Sequence, residues 1–188
     1  SFLFATKYPE PYRRRRPFTL AGARGLRKFF DGLTAVYGDW IILPEDLFSL
    51  RELDNRKPDA LAAGLMAVRS RPVVHTESSI GYRVEVPGGL TVAYSGDTDL
   101  CDGLVKLARD ADLFICECSV PDGMKVTGHL TPSEAGEAAA RAGAKRLILT
   151  HFYPECEGVD IETQCRKTWQ GPLTLAEDLM KIEISRER

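Results

Sequence analysis

The chain has 188 residues, of which 44% are hydrophobic and 28% are charged, and its formal net charge is −2. This composition is typical of a globular protein with its own core, so we expect residues 1–188 to form a single domain. The near-neutral charge excludes a general attraction to nucleic acid, so RNA binding needs a local cationic patch. We recognise no bilayer-spanning apolar run and no signal peptide, and therefore expect a cytoplasmic location without a membrane partner.

The hydrophobic pattern predicts strands that alternate with helices. Apolar residues at steps of three and four predict a helix over 26–37 that ends at Gly38, after a short strand over 18–22. Further strands are predicted for residues 48–54, 65–69, 80–86, 90–95, 113–118, 145–150 and 173–184, and helices for 100–111, 131–142 and 160–168. A turn at 87–89 makes strands 80–86 and 90–95 a hairpin. Strand–helix–strand units combined with a hairpin predict an α/β protein with mixed sheets.

The arginines at 13–16 form the one dense run of charge in the chain. A contact with the phosphate groups of a nucleic acid is one interpretation of this run. A solvated loop is the other, and we favour it because no aromatic residues are interleaved with the arginines.

The five cysteines, an odd number, predict reduced thiols and not a disulfide framework. Cys116 and Cys118 have the spacing of a metal-binding pair. However, they lie inside an apolar run, and no second pair stands at zinc-finger spacing. We therefore interpret both cysteines as structural.

Polar side chains follow three predicted strands at the point where each strand ends. His75 follows the apolar residues 72–74, Asp97 follows the strand that ends at residue 95, and His151 follows the strand over 145–150. Side chains at strand ends in layered α/β proteins converge on one crevice, so these positions become neighbours in space. Two imidazoles and a carboxylate are part of a ligand set for zinc or a similar divalent ion. The sequence therefore predicts metal ligands at His75, Asp97 and His151.

Glu117 and His129 are candidates for an acid–base pair. Glu117 lies in an otherwise apolar strand, and a buried carboxylate needs a partner, for which His129 on the following loop is the natural candidate. Such a pair holds the imidazole protonated, ready to act as a general acid. His129 also precedes a capping box at 131–134, where a helix N-terminus favours anions such as phosphate. The alternative for Glu117 is a strand-end carboxylate that reaches solvent.

Four segments, in this order along the chain, resemble ribonuclease Z and its relatives in the metallo-β-lactamase superfamily. The segments are residues 74–85, 94–98, 128–132 and 149–152. The resemblance implies an αββα four-layer sandwich with a two-metal site at the edge between its sheets. It also implies that His75 ligates one metal ion, that His151 ligates the second, and that Asp97 bridges both. Glu117 and His129 then match the acid pair of the family, which helps to protonate the leaving oxygen.

Two departures from the family pattern bear on function. The His-x-His-x-Asp-His signature of the family is not found in this sequence. We therefore expect a longer natural protein that carries the signature before Ser1. This chain then lacks the amino-terminal portion of the sandwich and holds an incomplete set of metal ligands. We expect it to be inactive by itself. The strand edges and apolar surface left exposed then favour a homodimer. In addition, the hairpin closes at 87–89 without the inserted arm that grips transfer RNA in ribonuclease Z.

The leading hypothesis is a metal-dependent hydrolase that cleaves phosphodiester bonds in RNA or small phosphodiesters. The resemblance implies two divalent metal ions, and we expect zinc before manganese or iron. One alternative is a hydrolase of the same fold that acts on another ester, a thioester, a lactone, a sulfate ester or a cyclic nucleotide. The other is a non-catalytic or truncated relative that only binds. Resemblance in fold does not choose between these substrates.

Overall fold

The computed structural model describes residues 2–6 and 15–185, so Arg13 and Arg14 of the arginine run lie outside the described residues. The chain divides into two compact units, Ser1–Leu53 and Asp54–Arg188. No helix within the described ranges combines the length and the apolar character needed to cross a membrane.

The amino-terminal unit is a helix packed on two parallel strands. Strand β1 (Phe18–Ala23) pairs with β2 (Phe48–Leu53), and helix α2 (Leu26–Tyr37) connects them. A short helix α1 (Phe2–Thr6) precedes β1. Aromatic contacts of Phe48 with Phe18 and Phe30 hold the helix against the strands. Helix α2 ends at Gly38 as the sequence predicts, but it has no buried residue, so much of its apolar face stays exposed.

The second unit is built on a mixed sheet of seven strands in the order β3-β4-β5-β6-β7-β8-β9. The strands are β3 (Asp59–Ala63), β4 (Met66–Pro72), β5 (Ile80–Glu85), β6 (Thr91–Tyr94), β7 (Leu113–Glu117), β8 (Leu147–Thr150) and β9 (Leu173–Leu175). Neighbours are antiparallel from β3 to β6 and parallel from β6 to β9. The predicted α/β organisation with a mixed sheet and a β5–β6 hairpin is confirmed.

Helices α3 (Asp102–Ala108) and α4 (Pro132–Ala142) pack against this sheet, and α5 (Ile161–Cys165) packs against α4. The predicted capping box is present: the hydroxyl of Thr131 accepts from the Glu134 amide, and the Glu134 carboxylate accepts from the Thr131 amide. The buried side chains of β7, α4 and β8 form the centre of the core. Cys116 and Cys118 belong to that core, and burial raises the pKa of both thiols, which fits a structural role.

Two strands differ from the sequence prediction. Strand β3 was not expected because its residues include no β-branched or aromatic side chain, the usual signal of a strand. Strand β9 ends at Leu175 and does not continue to residue 184. A turn in which the Met180 amide bonds to the Glu177 carbonyl, with Leu179 at a φ of 64°, ends the extended conformation there.

The parallel strands β6, β7 and β8 bring their carboxyl ends to one edge of the sheet. Asp97 follows β6, Glu117 ends β7, and His151 follows β8. A bridge between Val74 and Asp99 brings the segment before His75 to the loop after β6. The candidate residues that lie far apart in the sequence therefore meet at this edge.

Candidate functional site

Three side chains at the carboxyl edge of the sheet have the geometry of a metal site. Asp97, His129 and His151 each offer one ligand atom, and these atoms all lie within 4.8 Å of one another. The Nε2 atom of His151 lies 3.4 Å from Oδ1 of Asp97. Two ligand atoms of a tetrahedral zinc ion, each about 2.0–2.1 Å from the metal, stand at roughly 3.3 Å. Imidazole nitrogen and carboxylate oxygen are also zinc donors, so this set fits a divalent metal ion.

His151 has an unusual backbone conformation at the end of β8. Its φ is 66°, a value that side-chain-bearing residues rarely adopt and that carries a cost in free energy. Such strain is concentrated at functional sites, where surrounding contacts maintain it. The side chains of His151 and Asp97 are 39% and 40% exposed, so a substrate in solution reaches both.

His75 lies beside this group, although it is not one of the three residues whose ligand atoms cluster within 4.8 Å. Its Nδ1 atom lies 3.0 Å from the carbonyl oxygen of Gly128. Because a carbonyl oxygen only accepts, a neutral His75 carries its proton on Nδ1 and leaves the lone pair of Nε2 free, the usual arrangement of a metal-binding histidine. The rings of His75 and His129 are 4.7 Å apart. Gly128 permits this approach, since it has a φ of 88° and a Cβ there would lie 2.8 Å from His75 Nδ1.

Glu117 is a buried carboxylate with a donor for each oxygen. His129 Nδ1 and the Thr98 amide lie 3.0 and 2.9 Å from Oε1. The amide and the hydroxyl of Ser119 donate to Oε2 at 3.1 and 2.9 Å. Only 2% of Glu117 is exposed, so the alternative of a strand-end carboxylate in solvent is wrong. The sequence pattern gave no sign of Ser119, whose hydroxyl also lies 3.0 Å from His129 Nδ1.

The bond to Glu117 determines which ring nitrogen of His129 faces the site. A carboxylate only accepts, so Nδ1 carries a proton and Nε2 is the atom available for proton transfer or ligation. The hydroxyl of Tyr153 lies 3.4 Å from this Nε2. The ring of Tyr153 also packs 5.3 Å from that of His151. Tyr153 was not predicted, and its only signal in the sequence is its position two residues after a predicted ligand.

Lys125 joins the loops that carry these residues. Its ammonium group lies 2.5 Å from Asp99 Oδ1, 2.6 Å from Glu134 Oε2 and 2.5 Å from the carbonyl oxygen of His129. Asp99 in turn accepts from the Gly128 amide at 2.7 Å. Burial alone would lower the pKa of Lys125, but the bonds to Asp99 and Glu134 outweigh it and raise that pKa. The pairing therefore favours the charged form of Lys125 and fixes the loop before α4 against the loop after β6.

Comparison with known proteins agrees with this geometry. Residues 31–152, more than half of the chain, match the beta-lactamase superfamily domain. An uncharacterized protein of Mycobacterium tuberculosis (strain ATCC 25618 / H37Rv) is 34% identical over 173 residues, which are 91% of this chain and 63% of that protein. Ribonuclease Z 1 of Schizosaccharomyces pombe is 34% identical over 148 residues, or 70% of this chain and 18% of that protein. The chain thus spans less than two thirds of the length of these curated relatives.

Solved structures show the same fold. The short form of human tRNase Z has a TM-score of 0.71 at 25% identity, over 92% of this chain and 70% of that one. The metallo-beta-lactamase fold protein YhfI of Bacillus subtilis has a TM-score of 0.69 at 24% identity, over 85% of this chain and 62% of that one. These similarities confirm the predicted metallo-β-lactamase fold. The chain belongs to the metallo-β-lactamase superfamily and is ribonuclease Z-like within it.

Proposed function

We propose that the protein is a metal-dependent hydrolase that cleaves phosphodiester bonds in RNA or in small phosphodiesters in the cytoplasm. Relatives that bear the names ribonuclease Z and tRNase Z support this substrate class. The supporting observation in this chain is the position of His129. Its Nδ1 is bound to the buried Glu117, and its ring lies within the group that includes Asp97 and His151. His129 thus lies where a proton can be given at the same edge of the sheet as the donors Asp97 and His151.

His75, Asp97 and His151 are the residues that would hold the two divalent ions. We propose zinc because the donors are imidazole nitrogens and a carboxylate. When bound, such ions supply polarisation of the scissile phosphodiester and activation of water near neutral pH.

His129 acts as the general acid in this proposal. Its protonated ring gives the Nε2 proton to the leaving oxygen as the bond from phosphorus to that oxygen breaks. The ring is left neutral, because Nδ1 keeps its own proton and still donates it in the hydrogen bond to Glu117. The negative charge of Glu117 stabilises the protonated ring before transfer, and the donors from Thr98 and Ser119 keep that charge in place.

Metal content and hydrolysis of bis(p-nitrophenyl) phosphate by the full-length natural protein test the proposal. We expect close to two metal equivalents per chain and loss of both metal and activity in Asp97→Ala. A full-length protein without metal would overturn the proposal and favour a protein that only binds. Bound metal with turnover of thioesters or lactones, but not of phosphodiesters, would support the alternative hydrolase.

We further propose that the protein forms a homodimer. Large apolar side chains of the amino-terminal unit are exposed, among them Phe29 at 63%, Val36 at 76% and Trp40 at 73%. Exposed apolar patches are typical of protein–protein contacts. Sedimentation equilibrium of the full-length protein should give twice the chain mass, and a monomer at every concentration would contradict a dimer.

A further inference from the structure

A cavity of the carboxyl-terminal unit is lined by residues that directly follow the candidate ligand His151. Its volume is about 450 Å³, within the range of about 300–1,000 Å³ that is usual for small-molecule sites. Apolar and aromatic side chains dominate the lining, which includes Phe152, Tyr153, Pro154, Val159, Ile161 and Leu175. Among the described residues that line it, only Glu157 is charged.

The wall of this cavity is shared with the candidate active site. Tyr153 lines the cavity, and its hydroxyl lies 3.4 Å from Nε2 of His129. The carbonyl of Ser119 accepts from the Tyr153 amide at 3.0 Å and from the Cys156 thiol at 3.4 Å. The hydroxyl of the same Ser119 bonds to Glu117. One residue thus fixes both the acid pair and the cavity wall, so the two have a defined separation.

The base of the cavity is packed against the hydrophobic core. Ile161 and Cys156 are buried, and Phe152 and Leu175 pack against the hydrophobic core. A preformed apolar site of this kind favours a flat, uncharged group over a flexible or charged one. A phosphate group in the cavity would meet the carboxylate of Glu157, and like charges repel.

We propose that this cavity is a substrate subsite for an uncharged aromatic group, such as the base of a nucleoside, on the leaving-group side of the scissile phosphodiester. The inference rests on the proposed phosphodiester hydrolysis and on the role of His129 as the acid. The leaving oxygen lies at His129 in that mechanism, and Tyr153, whose hydroxyl lies 3.4 Å from Nε2 of His129, also lines the cavity. The leaving group therefore enters the cavity, and Glu157 selects leaving groups that carry no second phosphate.

Binding of the product-like probe adenosine to the full-length protein, measured by calorimetry, tests the subsite without any turnover. Stacking and burial of the base should make adenosine bind at least about 10-fold more tightly than ribose. Ala176→Phe adds a ring to the lining and should weaken adenosine binding by about 10-fold or more. Ala140→Phe, at an exposed position on α4, adds the same atoms elsewhere and should leave adenosine binding unchanged.

A second variant keeps the test decisive where Ala176→Phe fails to fold. Glu157 is exposed, and Glu157→Gln removes the negative charge that repels a phosphate group. The variant should therefore reduce the difference in affinity between adenosine and adenosine 5′-monophosphate several-fold. Equal affinity for adenosine and ribose, or equal effects of the two phenylalanine variants, would overturn the subsite even in a protein that hydrolyses phosphodiesters. Adenosine binding that responds to Ala176→Phe in a protein without phosphodiesterase activity would instead support the subsite and contradict the proposed function.

Discussion

Nδ1 of His129 lies 3.0 Å from Oε1 of Glu117, and both side chains are almost fully buried. In water this contact would add little to the stability of the folded state, because each group would be solvated by itself. In the interior, the carboxylate has no solvent to stabilise its charge and depends on the bonds from His129, Ser119 and Thr98. The arrangement therefore fixes the tautomer of His129 and aims Nε2 at the candidate metal centre.

We expect His129→Ala to lower kcat by about 10²–10⁴-fold, the usual contribution of a general acid, and to retain nearly all bound metal. Glu117→Gln should also lower kcat without loss of metal, because it removes the charge that stabilises the protonated ring. Steady-state kinetics and metal analysis on the same full-length preparations measure both quantities.

The metal content of His129→Ala decides between two roles of this residue. The bond from Nδ1 to a carboxylate occurs in metal-binding histidines as well as in acids. Loss of metal from this variant, to the extent expected for Asp97→Ala, would make His129 a ligand and not the acid. Retained metal with unchanged kcat would remove it from the reaction altogether.

The sequence predicts the parts of this site that follow from strand ends. Asp97 and His151 stand after strands with clear apolar patterns, and the order of parallel strands brings such positions together. Ser119, Lys125 and Tyr153 lie in loops without periodicity, and only the tertiary structure shows that each contacts His129.

The capping box of α4 was predictable because its hydrogen bonds are local. Strand β3 could not be predicted from its residue types, because its side chains have only a weak preference for strands. Its pairing with β4 outweighs that weak preference.

Asp112 should make the stability of the protein depend on pH in acid. Burial alone would raise the pKa of its carboxyl group, but bonds from Lys145 and from the amide and hydroxyl of Thr91 outweigh burial and lower that pKa below its ordinary value of 3.8. A carboxylate with a lowered pKa stabilises the folded state above the pKa of the unfolded chain. This contribution is lost as the pH falls below about 4 and through the pKa of the folded state.

Asp112→Asn therefore tests this contribution. The variant should be less stable than the natural protein at pH 6, and the difference should shrink as the pH falls from about 4 toward 2.5. Urea unfolding of both proteins at each pH measures this difference in the free energy of unfolding. A difference that stays constant over this range would show that charge on Asp112 does not contribute.

Gly136 allows α4 and α5 to approach closely. A Cβ at this position would overlap the Thr168 hydroxyl and would lie 2.9 Å from the carbonyl oxygen of Cys165. Gly136→Ala should therefore destabilise the protein by about 1–3 kcal/mol, the usual cost of overpacking. Gly32 of α2 is the matched control, because nothing lies within 4 Å of a Cβ there and Gly32→Ala should stabilise its helix by about 1 kcal/mol. Thermal unfolding of both variants checks the pair, and a neutral Gly136→Ala would contradict the packing of α4 on α5.

Lys125→Met tests whether the loop that carries His129 can be loosened without loss of bound metal. The substitution keeps an unbranched side chain but removes the ammonium group that joins Asp99, Glu134 and the His129 carbonyl. Hydrogen bonds to charged groups contribute about 1.5–3 kcal/mol, so we expect a loss of stability of about that size. Because the His129 loop is then less well fixed, kcat should fall by about 10-fold while the metal content is retained.

Lys167→Met is the matched control for this prediction. Lys167 is exposed and pairs with the partly buried Asp122, and ion pairs with an exposed lysine contribute only about 0.2–1 kcal/mol. Hydrogen exchange should be faster in Lys125→Met than in the control at the amides of residues 126–131, which lie next to the lost contacts. Equal exchange and equal kcat in the two variants would show that the other contacts of His129 hold it in place without the ammonium group of Lys125.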